Sequence, residues 1–255
     1  MKIVIIGSGN IATFFSKKFN KSGHEIIQII SATTENAKEL ANQFNCAYTS
    51  NLQEIKLEAD IYLLAVKDDT VTQIIQEVKF NQKIVIHTAG SLNLSHIANA
   101  SENIGSIWCM YSINKNHLPN RENIPLIINA SNNETLHTIR RLSETISTAV
   151  FSLTDEQKMK AHLAAVFANN FANHMFTIGQ DILQHEEISF DLLIPLIENT
   201  VEKLTYTSPD KLQTGPAIRN DELTIAKHLD LLKNEEDTKE IYTLLTKAIQ
   251  KKYGC

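Results

Sequence analysis

Hydrophobic and polar positions along the chain follow two successive rhythms. Residues Lys2 to Ile6 form an uninterrupted run rich in β-branched side chains that stops at Gly7, the pattern of a strand buried on both faces. Ile11, Phe14, Phe15 and Phe19 then recur at helical spacing up to Ser22-Gly23, where glycine suits a helix C-terminus. A second apolar strand is expected over 25–30. A helix follows over 34–44, with Ala37, Leu40, Ala41 and Phe44 on one face. Strands over 61–66 and 83–87 flank a helix over 69–78. Further strands are expected over 106–110, 125–128 and 149–152, with a helix over 134–146 between the last two. Strands alternating with helices imply right-handed crossovers and a doubly wound parallel sheet.

The rhythm changes at Thr154. Thr154-Asp155-Glu156-Gln157 reads as a capping box, because Gln157 can reach back to the N-cap amide. No convincing strand follows. One long helix is expected to run to about Gln184, and others over 189–206, 221–232 and 235–252. The expected fold class is α/β: a Rossmann-type doubly wound parallel-sheet domain over 1–153, then an all-helical C-terminal domain over 154–255.

Composition narrows the classes of function. The 255 residues suit two modest domains. With 24 Lys+Arg against 29 Asp+Glu, the net charge of −5 argues against a nucleic-acid partner, which needs a concentrated basic surface. No apolar run approaches the roughly 20 residues that span a bilayer, and the N-terminal apolar run is too short for a secretory segment. Neither a membrane partner nor a targeting signal is expected. Cys46, Cys109 and Cys255 are widely spaced and show no C-x-x-C, which suits a reducing cytoplasm and gives no metal site. Only 8 residues are glycine, and Gly7, Gly9 and Gly23 fall at the start, so a backbone reason is expected for each.

Gly7-Ser8-Gly9-Asn10-Ile11-Ala12 fits G-x-G-x-x-A, placed between a buried strand and a helix within a β-α-β unit. Gly7 permits the tight turn, Gly9 lets a pyrophosphate approach the backbone, and Ala12 permits close helix–sheet packing. The helix N-terminus offers free amides to the phosphates. An acidic residue after the second strand would select NAD. Ser31-Ala32-Thr33-Thr34 stands there instead, neutral and rich in hydroxyls, so NADP is expected ahead of NAD. Lys38 is the nearest cation. The same residues also fit a plain helix cap, with Thr34 as the capping group. Val66, His87 and Thr88 end later strands, at the carboxyl edge where cofactors bind in open α/β sheets.

Two further groups are candidates for chemistry. His162, Asn169 and Asn173 are spaced by seven and then four residues on an Ala-rich apolar helix, which puts them on one α-helical face. They suit either interhelical hydrogen bonds or a substrate site beside the nicotinamide. The segment from Leu212 to Asp221 gathers a glycine, a proline and the pair Arg219 and Asp221 before a helix. Asp221 either simply caps that helix with a local ion pair, or orients Arg219 toward an anionic substrate.

Gly7–Ala12, His87–Ser91, 160–171 and 214–228 together resemble a family that joins a Rossmann-like domain to a helical domain of unknown function. That family is similar to pyrroline-5-carboxylate reductases, deazaflavin-dependent NADP reductases, and the 6-phosphogluconate and hydroxyacid dehydrogenases. The resemblance implies an NADP-linked oxidoreductase whose helical domain dimerises and closes the active site. Two departures stand out. The catalytic lysine that precedes an asparagine by one helical turn in hydroxyacid dehydrogenases is missing, since Ala165 and Val166 precede Asn169 and Asn170 by four. Asn220 stands where the family usually has glycine. The expected function is reduction of a small imine or carbonyl, with His162 as proton donor, Asn169 as orienting group and Arg219 as anion clamp. The alternative is a non-catalytic NADP(H)-binding sensor or scaffold. A homodimer through the helical domain is expected, because about 100 helical residues make a marginal core by themselves.

Overall fold

A computed structural model describes residues Met1–Gly254; Cys255 lies outside the described residues. The first half alternates strands and helices: β1 (Lys2–Ile6), α1 (Asn10–Lys21), β2 (Glu25–Ile30), α2 (Thr34–Ala41), β3 (Ala47–Thr49), β4 (Ile61–Leu64), α3 (Asp68–Glu77) and β5 (Ile84–His87). Next come β6 (Ile104–Cys109), β7 (Leu126–Ala130), α4 (Asn133–Glu144) and β8 (Val150–Ser152). Among the described residues the strands form one eight-stranded sheet in the order β3-β2-β1-β4-β5-β6-β7-β8. β1 is paired on both edges and covered on both faces, which explains its continuous apolar run. Ile3 and Ile5 pack with Phe14, Phe15 and Phe19 of α1, while Val4 and Ile6 pack with Val71 and Ile74 of α3.

The sheet is mostly parallel, with one exception. β7 runs antiparallel to β6. The segment 110–125 that joins them contains no crossover helix, and without one the chain returns in the opposite direction. The short edge strand β3 was not expected; three residues carry too little periodicity to announce it.

Beyond β8 the regular elements among the described residues are all helices. α5 (Asp155–Ala165) opens on the capping box, with Thr154 and Gln157 each bonding the other's backbone. A π-helical segment over Val166–Phe171 follows, then α6 (Ala172–Gln184), α7 (Ile194–Lys203), α8 (Glu222–Leu231) and α9 (Glu236–Tyr253). The π winding is a departure from the single α-helix expected to Gln184. No described helix is long and apolar enough to cross a membrane. The architecture changes after β8, whereas packing divides the chain into two compact units at Ala168/Asn169. The first unit holds the whole sheet and α5.

Candidate active site

The turn after β1 lies against the carboxyl end of β4. Gly7 has φ +126°, and a Cβ there would overlap the Ala65 carbonyl. Its amide donates to Ile30 O at 2.7 Å, which fixes the turn against the end of β2. Gly9 is different. It has φ −79°, and a Cβ built on it meets nothing within 4 Å. The folded chain itself therefore does not require glycine at this position, and the space above it leaves the backbone open to a ligand. α1 begins there with no side-chain cap and no acidic residue in its first turn, so its leading amides remain available to an anion. Ala12 is fully buried beneath. These features fit the pyrophosphate of a dinucleotide.

Hydroxyls and amides line the β2 side of this turn. Ser8 Oγ and Ser31 Oγ lie 2.6 Å apart, and the exposed Ala32 follows. Thr33, not Thr34, caps α2 by accepting from Asn36 N, while Thr34 Oγ1 lies 2.9 Å from Ser50 Oγ. Asn10 Oδ1 accepts from Lys115 N at 3.0 Å, bringing in a loop 105 residues away. A cleft between α1 and α2 is lined by Ser8, Lys17, Asn36, Glu39 and Lys115, among others. Two ammonium groups and one carboxylate therefore stand beside the glycine turn.

The ends of β4 and β5 form the next part of the edge. Leu64 O accepts from both Thr88 N at 3.2 Å and Thr88 Oγ1 at 3.3 Å. Ser91 Oγ donates to Asp68 Oδ2 at 2.5 Å, tying the loop after β5 to the first turn of α3. Val66 is half-buried between them. His87 is fully buried, and among the described residues neither ring nitrogen has a hydrogen-bond partner. Burial first, and the nearby Lys158 charge second, push its pKa down to about 3. Its imidazole is therefore neutral and stays away from solvent.

His162 reaches the same edge from α5. Its ring centroid lies 5.4 Å from that of Trp108, and Gly90 fits against both. A Cβ on Gly90 would come within 2.6 Å of His162 Cδ2 and 2.8 Å of the Trp108 indole, so only glycine permits this approach. One turn earlier on α5, Lys158 is fully buried, with Nζ donating to Leu92 O at 2.5 Å and pairing with Asp155 Oδ1 at 3.4 Å. Burial pushes the Lys158 ammonium below its ordinary pKa, against the opposing pull of Asp155. Trp108, Asp155 and Lys158 were not among the expected site residues. The available signal was the spacing of Asp155, Lys158 and His162 at i, i+3 and i+7, which shares one helical face.

Asn169 and Arg219 belong to the second unit, so the structure does not gather the three proposed catalytic residues within one unit. Asn169 is exposed within the π-helical segment, and Asn173 is exposed in α6. A shared face with His162 requires 3.6 residues per turn, and the π winding over Val166–Phe171 departs from that period. Arg219 is exposed. Asp221 caps α8, accepting from Thr224 N at 3.0 Å and Thr224 Oγ1 at 2.8 Å. Those bonds, the backbone one foremost, hold its carboxyl below the usual range.

Two families match successive parts of the chain. Residues 2–90 match the family described as NADP oxidoreductase coenzyme F420-dependent, and residues 124–249 match a domain of unknown function, DUF2520. A solved structure from Bacteroides fragilis, designated an NADP oxidoreductase, is 34% identical, with 98% of each chain covered and a TM-score of 0.92. The 1-pyrroline-5-carboxylate reductase of Streptococcus pyogenes shares the fold at 17% identity, over 97% of this chain and 98% of that one, with a TM-score of 0.68. A reductive aminase of Aspergillus terreus, in complex with NADPH and ethyl levulinate, does so at 14% identity, over 98% and 94%, with a TM-score of 0.74. The glutamyl-tRNA reductase of Listeria innocua is 29% identical over 166 residues, 62% of this chain. The chain spans about a third (35%) of the length of that curated relative.

Proposed function

Because this chain belongs to the family that joins an NADP oxidoreductase domain to DUF2520, and is thereby an NAD(P)-dependent oxidoreductase, we propose that it reduces a small imine or carbonyl with NADPH. The observation that carries this reading is the pairing of two features along one sheet edge. An uncapped helix N-terminus under open space at Gly9 is prepared for a pyrophosphate, and a histidine stands at Gly90 on the loop after β5. Bound NADPH supplies the hydride.

The chain's own groups do the rest. The amides that open α1 hold the pyrophosphate, while Ser8, Ser31 and Ala32 leave the adenosine ribose free of a repelling carboxylate. Lys17 and Lys115 outnumber Glu39 beside the same turn, which favours an additional phosphate over a hydroxyl. Val66 and Thr88 shape the edge toward the nicotinamide. His162 gives the substrate nitrogen or oxygen the proton that balances hydride addition at carbon. Its place against Gly90 and Trp108 limits the directions from which its ring can do so. The pyrroline-5-carboxylate reductase and the NADPH-bound reductive aminase support the substrate class by analogy of fold.

Titration of NADPH and NADH fluorescence tests the cofactor reading. NADPH is expected to bind at least about tenfold more tightly, which needs only ~1.4 kcal/mol; equal affinities overturn it. Single-turnover NADPH oxidation tests the chemistry. His162→Ala is expected to keep NADPH affinity within about twofold while slowing reduction by roughly 10²-fold or more. Unchanged turnover in that variant removes His162 as the donor. A parent protein that binds NADPH but reduces no imine or carbonyl in a broad screen returns the function to a sensor.

A further inference from the structure

That reading leaves Lys158 and Asp155 without a role, and α5 poses a problem that they resolve. A helix usually docks through an apolar stripe, yet among the described residues of α5 only Lys158 is buried, while Met159 and Leu163 are exposed. The docking is polar instead. Lys158 Nζ donates to Leu92 O and reaches Ser106 Oγ at 3.5 Å. Asp155 pairs with Lys158, accepts from Leu94 N at 2.9 Å, and accepts from Asn129 Nδ2 at 3.2 Å. One ion pair therefore ties the first turns of α5 to the loop after β5, to β6 and to β7. A buried pair is a poor source of stability compared with apolar packing, but when its partners are satisfied it fixes geometry. The geometry fixed here bears on the site, because His162 lies one turn beyond Lys158 on the same face, against Gly90 and Trp108.

We propose that Asp155 and Lys158 are positioning residues, whose buried pair docks α5 on the loop after β5 and thereby holds the His162 imidazole against Gly90 and Trp108. This rests on the reading of His162 as proton donor. Neither residue is assigned a contact with substrate.

Trp108 is the single tryptophan of the chain, so its emission reports on its neighbour. An imidazole packed against an indole alters its emission. The full-length parent and His162→Ala are therefore expected to differ in Trp108 emission at one fixed pH. In Lys158→Met the difference from His162→Ala is expected to shrink by at least half, with reduction slowed about tenfold or more and NADPH affinity held within twofold. Lys158→Arg is expected to recover part of both. Because Lys158→Met leaves the Asp155 carboxylate unpaired, the double variant Asp155→Leu with Lys158→Met serves as the folded control, having no unpaired charge. It is expected to melt cooperatively and still lose both the emission difference and the rate. A cooperatively folded double variant that keeps both overturns the proposal, as does a parent emission that His162→Ala leaves unchanged. If the parent reduces nothing, the proposed function fails while the fluorescence comparison still decides whether the pair positions His162.

Discussion

Gly7 and Gly9 stand two residues apart and are glycine for opposite reasons. At Gly7 the backbone itself demands it, with φ +126° and no room for a Cβ beneath the Ala65 carbonyl. Gly7→Ala is expected to cost at least about 2 kcal/mol in stability, read from denaturant unfolding. At Gly9 the fold would accept a side chain, so only a ligand would notice one. Gly9→Ala is expected to unfold within about 1 kcal/mol of the parent and to bind NADPH at least about tenfold more weakly. Normal binding by that variant would make the turn merely a turn. His87 gives a different kind of residue-scale test. Its folded pKa of about 3 lies below the ordinary 6.5, so between those values the unfolded chain binds more protons than the folded one. The stability is fully present above pH 6.5 and is lost as pH falls toward 3. His87 alone is expected to lower stability by about 2 kcal/mol between pH 7 and pH 5. His87→Leu, similar in bulk and without a titrating group, should flatten that difference in urea midpoints at the two pH values; an unchanged slope means the histidine protonates inside the fold.

Elements were legible in the sequence where the deciding interactions are local or repeated. The apolar run of β1, the Phe-rich face of α1 and the glycine turn between them lie within about 20 residues, and the structure follows them closely. The capping box before α5 was readable to the level of its two hydrogen bonds, and Thr154→Ala is expected to cost about 1 kcal/mol in urea unfolding. What escaped were the features set by distant partners. The antiparallel return of β7 depends on an absent crossover helix, which no local pattern announces. The π-helical segment keeps a helical composition while changing the winding, so residue spacing alone does not fix the face of Asn169 and Asn173. Lys158 looks in sequence like a solvated cation in a charged first turn. Its burial arises because Leu92, Ser106 and Asn129, from three other segments, supply its surroundings directly or through Asp155. The glycine-loop half of the candidate site was thus visible beforehand. The half built on Trp108, Gly90 and α5 was visible only as two separate pieces, the stretch His87–Ser91 and His162, with Trp108 missing.

At the scale of the whole molecule the two units differ in how well each satisfies its own apolar surface. The first encloses two large clusters of buried side chains, one on each face of the sheet. In the second, among the described residues, only Ala217 and Leu232 are buried apolar side chains. Leu196 is 61% exposed, Leu223 79% and Leu244 69%, on helices α7, α8 and α9. Single exposed leucines are common, but amphipathic helices that all leave apolar positions open lack most of the burial that holds a helical unit together. A second copy of the chain would cover such faces, and two-fold pairing needs only one self-complementary surface. The protein is therefore expected to be a homodimer through its helical unit, with a mass about twice 28.7 kDa by light scattering at micromolar concentration. Leu196→Glu with Leu244→Glu is expected to shift it toward the monomer, because burying two carboxylates in the pairing surface outweighs what a single pair of leucines contributes. The first unit's melting transition and NADPH affinity should be altered far less than the mass. A parent that scatters as 28.7 kDa across the same concentrations would show that these apolar faces have some partner other than a second copy.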